Sequence, residues 1–575
     1  NETAKLATYV CPDCHYLESW NDSQPKKGVY SLTQPVINKL FNTRQAQESL
    51  MIWSATGNRA DTGEPTSETV AKEDAYYTYI KDYWRSVLFP KQEKYILFSE
   101  FWDNALQAGV FTVDQAVDTF NLNNSQDVAG YTRVSLDACV SQLEPPEAGE
   151  RDIEFTLYES IGLGDGRQAN NPWLQELPDP VSKVCWDNYL AVSKTFADKN
   201  RLKLGDIVIV NDLFELPVLI QAGQADNTVS IALGYGRSSA GKVADGLGQN
   251  AFRLVQTKGT RLYSGHNINL VPTGVNYIFA LTQTHHTLHG RNHVHTALLK
   301  DYKENPSSGN EAHLLAEEKK QSLYGEREFK GHHWALAIDL NLCTGCSACV
   351  IACQAENNVA VIGRDEVRKK RIMHWIRIDR YYAEKAEDPE VFFQPVMCQQ
   401  CDNAPCENVC PVEATQNSKE GLNDMIYNRC IGTRYCMNNC PYRVRRFNWF
   451  EYANNDKFDY NMNSTLGKMV LNPDVVVRSR GVAEKCSFCI QRIQEKKLGA
   501  KLENRELKDG EIKPACLQSC PANAIVFGDR NMQDSEISKA FANERNYFLL
   551  EEVNTQPSVG YLTKIRNTES NKHET

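Results

Sequence analysis

The chain has 575 residues, 41% of them hydrophobic and 24% charged, with 63 Lys+Arg against 73 Asp+Glu and a net charge of -10. That length calls for about two to four domains, and the acidic balance excludes a protein built to bind nucleic acid. No stretch comes near the roughly 18 to 20 apolar residues of a membrane helix; apolar stretches such as VNYIFALT and NYFLL are far too short, so any membrane link is expected to run through a partner.

The chain opens at Asn1 without a Met, a basic segment or an apolar segment, which raises the expectation of a removed export signal or preceding domains. Residues 1–180 mix helical periodicity, as in QPVINKLFNTRQAQESLMIW, with polar loops. Early in this part Cys11, Cys14 and His15 form CPDCH, the haem-attachment spacing. No cytochrome-like context accompanies it, so a free or disulfide-linked pair is the expectation. Residues 181–275 change to short β-type runs, DIVIVND, LPVLIQA and VSIALG, followed by the glycine-rich LGYGRSSAGKVADGLGQN. This predicts a compact β-rich domain. Residues 276–330 read as a polar linker, in which His285, His289 and His293 are expected to be solvated rather than metal-bound.

Residues 331–575 are chemically different. Fifteen of the nineteen cysteines lie between Cys343 and Cys520, leaving Cys11, Cys14, Cys139 and Cys185 elsewhere. The strand HHWALAIDL enters the first cysteine group and the helix CVIACQAENN leaves it. Four groups follow one another. Cys343, Cys346, Cys349 and Cys353 form C-x2-C-x2-C-x3-C, and Cys398, Cys401, Cys406 and Cys410 form C-x2-C-x4-C-x3-C-P. Cys430, Thr433, Cys436 and Cys440 repeat the first spacing with Thr in place of the second Cys, and Cys486, Cys489, Cys516 and Cys520 form C-x2-C-x26-C-x3-C-P. Gaps of two to four residues let one tight loop wrap a cuboidal iron-sulfur cluster, while the fourth Cys serves a neighbouring cluster. Structural zinc also uses C-x2-C pairs, but a triplet followed by C-x3-C-P is the ferredoxin pattern.

The stretch HWALAIDLNLCTGCSACVIACQAENNVAVIG, with HWIRIDRYY, CPANAIVFGD and NYFLLEEVNTQPSVGYLTKIRN downstream, resembles the iron-sulfur subunit of alternative complex III, a bacterial quinol oxidoreductase. It is similar more broadly to the four-cluster subunits of polysulfide, nitrate and DMSO reductases. The resemblance covers about residues 331–567. It implies an α+β double ferredoxin-like domain in which the first group pairs with the fourth and the second with the third. Cys343, Cys346, Cys349 and Cys520 would then hold one 4Fe-4S cluster, and Cys353, Cys486, Cys489 and Cys516 another. A third would be held by Cys398, Cys401, Cys406 and Cys440. Cys410, Cys430 and Cys436 remain, and Thr433 leaves one iron without a thiolate, so a 3Fe-4S cluster is expected there.

TAKLATYVCPDCHYLESW, RLKLGDIVIVND and GYGRSSAGKVADGLGQNAFRLV resemble the C-terminal portion of molybdopterin oxidoreductases of the DMSO reductase class. That implies an α/β region followed by a double-psi β-barrel, with the glycines giving backbone access to phosphate. Fusion to a four-cluster domain marks the alternative complex III subunit, in which this part carries no molybdenum. The implied role is electron transfer from quinol, oxidised in a polytopic membrane partner, toward multihaem and monohaem cytochrome c subunits, on the periplasmic face of the bacterial inner membrane. No residue of this chain is then catalytic. Arg434, Arg443, Arg445 and Arg446, interleaved with Tyr435, Tyr442, Phe447, Trp449 and Phe450, are expected to form the docking surface for the membrane partner. The alternatives are an active molybdopterin oxidoreductase with a fused electron-transfer domain, and a zinc-stapled scaffold.

Overall fold

The structure, a computed structural model, describes residues 1–57, 75–113, 137, 153–258, 260–310, 325, 327–382 and 389–567. The chain divides into two compact units, Glu2–Glu147 and Ala148–Thr575. In the first, an antiparallel sheet of Asn21–Lys26, Val29–Thr33 and Val110–Thr112 accompanies the helices Ala46–Gly57, Ala75–Tyr83 and Phe98–Ala108. Its core is aromatic. Trp84 is fully buried and meets Trp102 edge-on at 5.8 Å, a geometry that suits the ring quadrupoles. Cys139 lies outside the described residues.

The second unit begins with a mixed seven-stranded sheet in the order Ser264–Gly265, Glu154–Glu159, Thr228–Leu233, Leu190–Val192, Phe214–Ile220, Asp206–Val210, Leu270–Asn276. Two of its pairs are parallel, Glu154–Glu159 with Thr228–Leu233 and Leu190–Val192 with Phe214–Ile220. The sheet takes its strand Glu154–Glu159 from before residue 180, so the break expected there does not coincide with its edge. EFTLYE alternates buried Phe155 and Leu157 with half-buried Thr156 and Tyr158, whose hydroxyls bond Ser230 and Tyr189.

The glycine-rich segment packs upon this unit itself. A Cβ on Gly236, whose φ is +70°, would fall 2.2 Å from the Asn250 nitrogen. Gly236 therefore answers to a close approach within the segment itself, and a Cβ on Gly241 would meet the Asn170 side chain at 2.5 Å, whereas one on Gly246 would meet nothing within 4 Å.

The ferredoxin-like part is built on a four-stranded sheet ordered Ile525–Asp529, Trp334–Asp339, Val559–Leu562, Asn546–Tyr547. Ile338 pairs with Ile525 across an antiparallel ladder. The residues expected to form a linker are tied into this part: Thr296–Leu298 runs parallel to Lys564–Arg566, and the Gln283 side chain bonds both backbone groups of Arg380. One continuous core collects Trp334, Trp375, Tyr547 and Tyr561 with nine of the cysteines, and extends to Cys185 and Trp186 of the preceding part.

Within that core Glu176 is only 1% exposed, and its carboxylate accepts from the Ile362 and Gly363 N–H groups and from Trp186 Nε1. Burial outweighs these bonds and pushes its pKa up from 4.5 to about 7. The folded chain thus keeps a proton that the unfolded chain has released. Its contribution to stability is intact below about 4.5 and falls as pH rises toward 7, by at most about 3 kcal/mol. Glu176→Gln is expected to flatten this decline. Urea midpoints at pH 6 and pH 8.5 check it, the variant gaining on the parent at the higher pH.

Candidate metal centres

Four loops carry the cysteine groups, and two share a backbone plan. Gly345 and Ser347 have φ of 72° and 65°, and the helix Ala348–Glu356 then presents Cys349 and Cys353. Gly432 and Arg434 repeat this with φ of 75° and 64°, and the helix Tyr435–Asn438 presents Cys436. A Cβ on Gly345 would strike the Phe393 ring at 2.5 Å, and one on Gly432 would lie 2.5 Å from the Gly481 oxygen, so both turns demand glycine. Thr433 occupies the loop position that Cys346 holds in the first group, and it is exposed. After Cys410, Cys440 and Cys520 a Pro and a left-handed third residue, Glu413, Arg443 or Asn523, reverse the chain. This returns the Ala414 N–H to Cys410 Sγ at 3.2 Å and the Ala524 N–H to Cys520 Sγ at 3.3 Å.

The structure brings distant cysteines together. Cys349 lies close enough to Cys343, Cys346 and Cys520 for their charges to interact; burial first, then these neighbours, push its pKa to about 12. Cys353 is surrounded in the same way by Cys486, Cys489 and Cys516, and its thiol is raised mainly by burial. Cys401 faces Cys398, Cys406 and Cys440, again with burial as the main cause of an upward shift. Cys436 neighbours Cys430 and Cys410; burial raises it and Arg445 opposes the rise. The sets also lie within electrostatic reach of one another in order, Cys516 sensing Cys349 and Cys486 sensing Cys398.

These sets fit iron-sulfur cubes better than single ions. Among the described residues no three His, Cys, Asp or Glu converge tightly enough to hold one metal ion, and no described cysteine is in a disulfide. Thiolates gathered in an apolar core need a compensating positive centre. N–H donors are also aimed at sulfur: Ala515 N reaches Cys489 Sγ at 3.5 Å, and Asn357 Nδ2 lies 3.6 Å from Cys353 Sγ and 3.7 Å from Cys489 Sγ. Such donors tune cluster potentials. Asn357 did not stand out in the sequence. Its signal was that the first group alone lacks the Cys-Pro turn, so another device must follow Cys353.

Two cations are buried among the sets. Arg445 is 4% exposed, and its Nη2 donates to Cys406 Sγ at 3.1 Å and to Asn423 Oδ1 at 2.9 Å. Its charge acts on Cys406, Cys436, Cys398 and Cys440 together, which puts it between the last two sets. Lys485 is 1% exposed, bonds the Cys486 carbonyl at 3.0 Å, and acts on both Cys406 and Cys486. The docking surface is corrected accordingly: Arg445 and Tyr442 face inward, because a guanidinium beside clustered thiolates gains more than it loses on leaving water. Arg434 instead covers Phe447 and Trp449 at 5.2 and 4.7 Å. With clusters in place, Arg445→Met is expected to lower the midpoint potentials of the two adjoining centres by on the order of 100 mV. Arg445→Lys should restore most of this. Potentiometric EPR of the purified protein reads both.

The remaining candidates stay apart. His285, His289 and His293 lie on a non-helical segment beside a cavity described below. His15 caps the turn Tyr16–Glu18. Cys11 is exposed and Cys14 Sγ contacts Thr43 Oγ1 at 3.4 Å. Cys185 is buried and reaches the Ala280 carbonyl.

Two family models described as 4Fe-4S dicluster domain match residues 342–414 and 389–460. The menaquinone reductase iron-sulfur cluster-binding subunit of Nitratidesulfovibrio vulgaris is 40% identical over 243 residues, covering 41% of this chain and 91% of that one. The putative dimethyl sulfoxide reductase iron-sulfur subunit of Halobacterium salinarum is 35% identical, covering 40% and 79%. The Hdr-like menaquinol oxidoreductase iron-sulfur subunit 1 of Archaeoglobus fulgidus is 33% identical, covering 40% and 82%. Among solved structures, acetylene hydratase from Pelobacter acetylenicus is similar over 47% of this chain and 38% of its own, at 14% identity and a TM-score of 0.28, too distant to carry an argument.

Proposed function

Since the chain belongs to the family of oxidoreductase iron-sulfur subunits that carry 4Fe-4S dicluster domains, we propose that it is the electron-transfer subunit of a quinol-linked membrane oxidoreductase. In this reading Cys343, Cys346, Cys349 and Cys520, then Cys353, Cys486, Cys489 and Cys516, then Cys398, Cys401, Cys406 and Cys440 hold three 4Fe-4S clusters. Cys410, Cys430 and Cys436 hold a 3Fe-4S cluster. Such centres supply one-electron storage over a range of potentials from roughly -700 to +450 mV. The observation that carries the proposal is the unbroken order of the four sets, joined by Cys349 with Cys516, Cys486 with Cys398, and Arg445 across the last gap. The chain's own contribution is to exclude water from the sets, point N–H groups at sulfur and hold Arg445 and Lys485 between them.

No helix among the described residues is long and apolar enough to cross a membrane. The proposed complex therefore includes a polytopic quinol-oxidising partner, with electrons leaving toward haem-bearing cytochrome c subunits on the periplasmic face. This is the arrangement of alternative complex III. We read the mixed-sheet part as a molybdopterin-oxidoreductase-like domain that serves as scaffold. Anaerobic purification with metal analysis and low-temperature EPR tests the reading. Roughly fifteen irons per chain and the isotropic signal of an oxidised 3Fe centre are expected. Stoichiometric molybdenum would favour the oxidoreductase alternative, and zinc in a colourless protein would overturn the assignment.

A further inference from the structure

A cavity of about 580 Å³ opens beside the turn that follows Cys440, walled by residues 282–285, 287–289, 291 and 293, by Lys370, and by Arg443 and Arg446. That volume is within the usual range of small-molecule sites, roughly 300 to 1,000 Å³. Its charge is one-sided. Among the described residues Asp379 is the one carboxylate in the lining, and it is already engaged by Arg377 Nε at 2.8 Å. Arg377 spends its remaining nitrogens on the Arg443 and Tyr442 carbonyls, so this pair is closed.

Arg443 is exposed toward solvent. Arg446 uses Nε on the His374 carbonyl at 2.8 Å, and its terminal nitrogens make no ion pair among the described residues. Burial and the neighbouring Arg377 work against its charge, pulling its pKa down to about 9. Lys370 spends one proton on the Leu281 carbonyl. Arg291 and the imidazoles of His285, His289 and His293 also line the cavity, with Leu288 and Leu549 as apolar lining. Several cations converging on a half-sheltered space, with its single carboxylate already engaged, repel one another, and a bound polyanion would relieve that repulsion. Guanidinium groups favour tetrahedral oxyanions through paired N–H bonds.

We propose that this cavity is a binding site for a phosphate-bearing anion, held by Arg446, Arg443 and Lys370 and closed by the three histidines. The ligand carries at least two negative charges, as a soluble polyphosphate ester or as an anionic lipid headgroup. The site stands whether or not the cluster assignment holds, because nothing in its lining is a proposed iron ligand.

Calorimetric titration of the full chain with inorganic pyrophosphate is the first test. Saturable binding is expected, weakened about tenfold in Lys370→Met and in Arg443→Gln, with unchanged visible absorbance showing that the fold and its centres persist. Sedimentation with vesicles containing cardiolipin, against phosphatidylcholine alone, identifies the source. Capture that the same two substitutions abolish assigns the headgroup, while pyrophosphate binding without capture assigns a soluble ligand. Neither binding nor capture, or binding indifferent to both substitutions, overturns the site.

Discussion

Thr433→Cys is expected to convert the fourth centre into a complete cube. The position lies in the same loop register as Cys346, with Gly432 and Arg434 reproducing the turn made by Gly345 and Ser347. A thiolate there would face the same corner that Cys346 faces in its own set. Iron should rise by about one atom per chain, the isotropic signal of the oxidised 3Fe centre should vanish, and the potential should fall by on the order of several hundred mV. Thr433 is exposed, so the substitution carries little folding cost. Thr433→Ser serves as the control and should change neither iron nor spectrum. If the parent and the Cys variant contain equal iron and give the same EPR spectrum, the vacant-corner account fails, though the other three sets would be untouched.

What could be read in the sequence was local. The first three ligand loops each close within about a dozen residues, so spacing located Cys343 to Cys353, and the flanking HHWALAIDL and CVIACQAENN predicted a strand before them and a helix after; Trp334–Asp339 and Ala348–Glu356 are that strand and helix. The long-range meeting of Cys343 with Cys520 came only through resemblance. Its physical cause is the antiparallel register of Ile338 with Ile525, which sets the exit of one strand and the entry of the other at the same end. Nothing in either segment alone encodes that register. The side on which an arginine faces was equally hidden. Arg445 and Arg446 are adjacent at the start of Arg446–Phe447, and neighbouring positions in extended backbone point opposite ways. One of them enters the thiolate cluster while the other lines the cavity, and a count of positive residues treats them alike. The tethering of the expected linker was invisible too, since Thr296–Leu298 finds its partner strand more than 260 residues later.

The second large effect is expected at Arg478 and Glu484, whose side chains are each 1% exposed and meet at 2.9 Å. Glu484 also accepts from Trp375 Nε1 and Asn448 Nδ2. Arg478 donates to the carbonyls of Asn357 and Asn358 and lies over the Trp375 ring at 4.9 Å. The pair therefore fastens the segment before Cys486 to the end of the helix that carries Cys353, and so holds together two segments that bear cysteines of one set. Arg478→Met would leave a carboxylate in the core without its cation, a loss of about 3 to 5 kcal/mol. Glu484→Gln strands a guanidinium that still has the carbonyls of Asn357, Asn358 and Val476 as partners, so it should cost less. Combining the two removes both charges and should recover a good part of the first loss, because no unmatched ion is then left desolvated in the core. Unfolding free energies of the parent, the two single variants and the double variant measure the coupling. Additive losses would mean that the ion pair contributes nothing beyond its separate hydrogen bonds. With the coupling present, iron should also leave the Arg478→Met protein faster under chelator than it leaves the double variant.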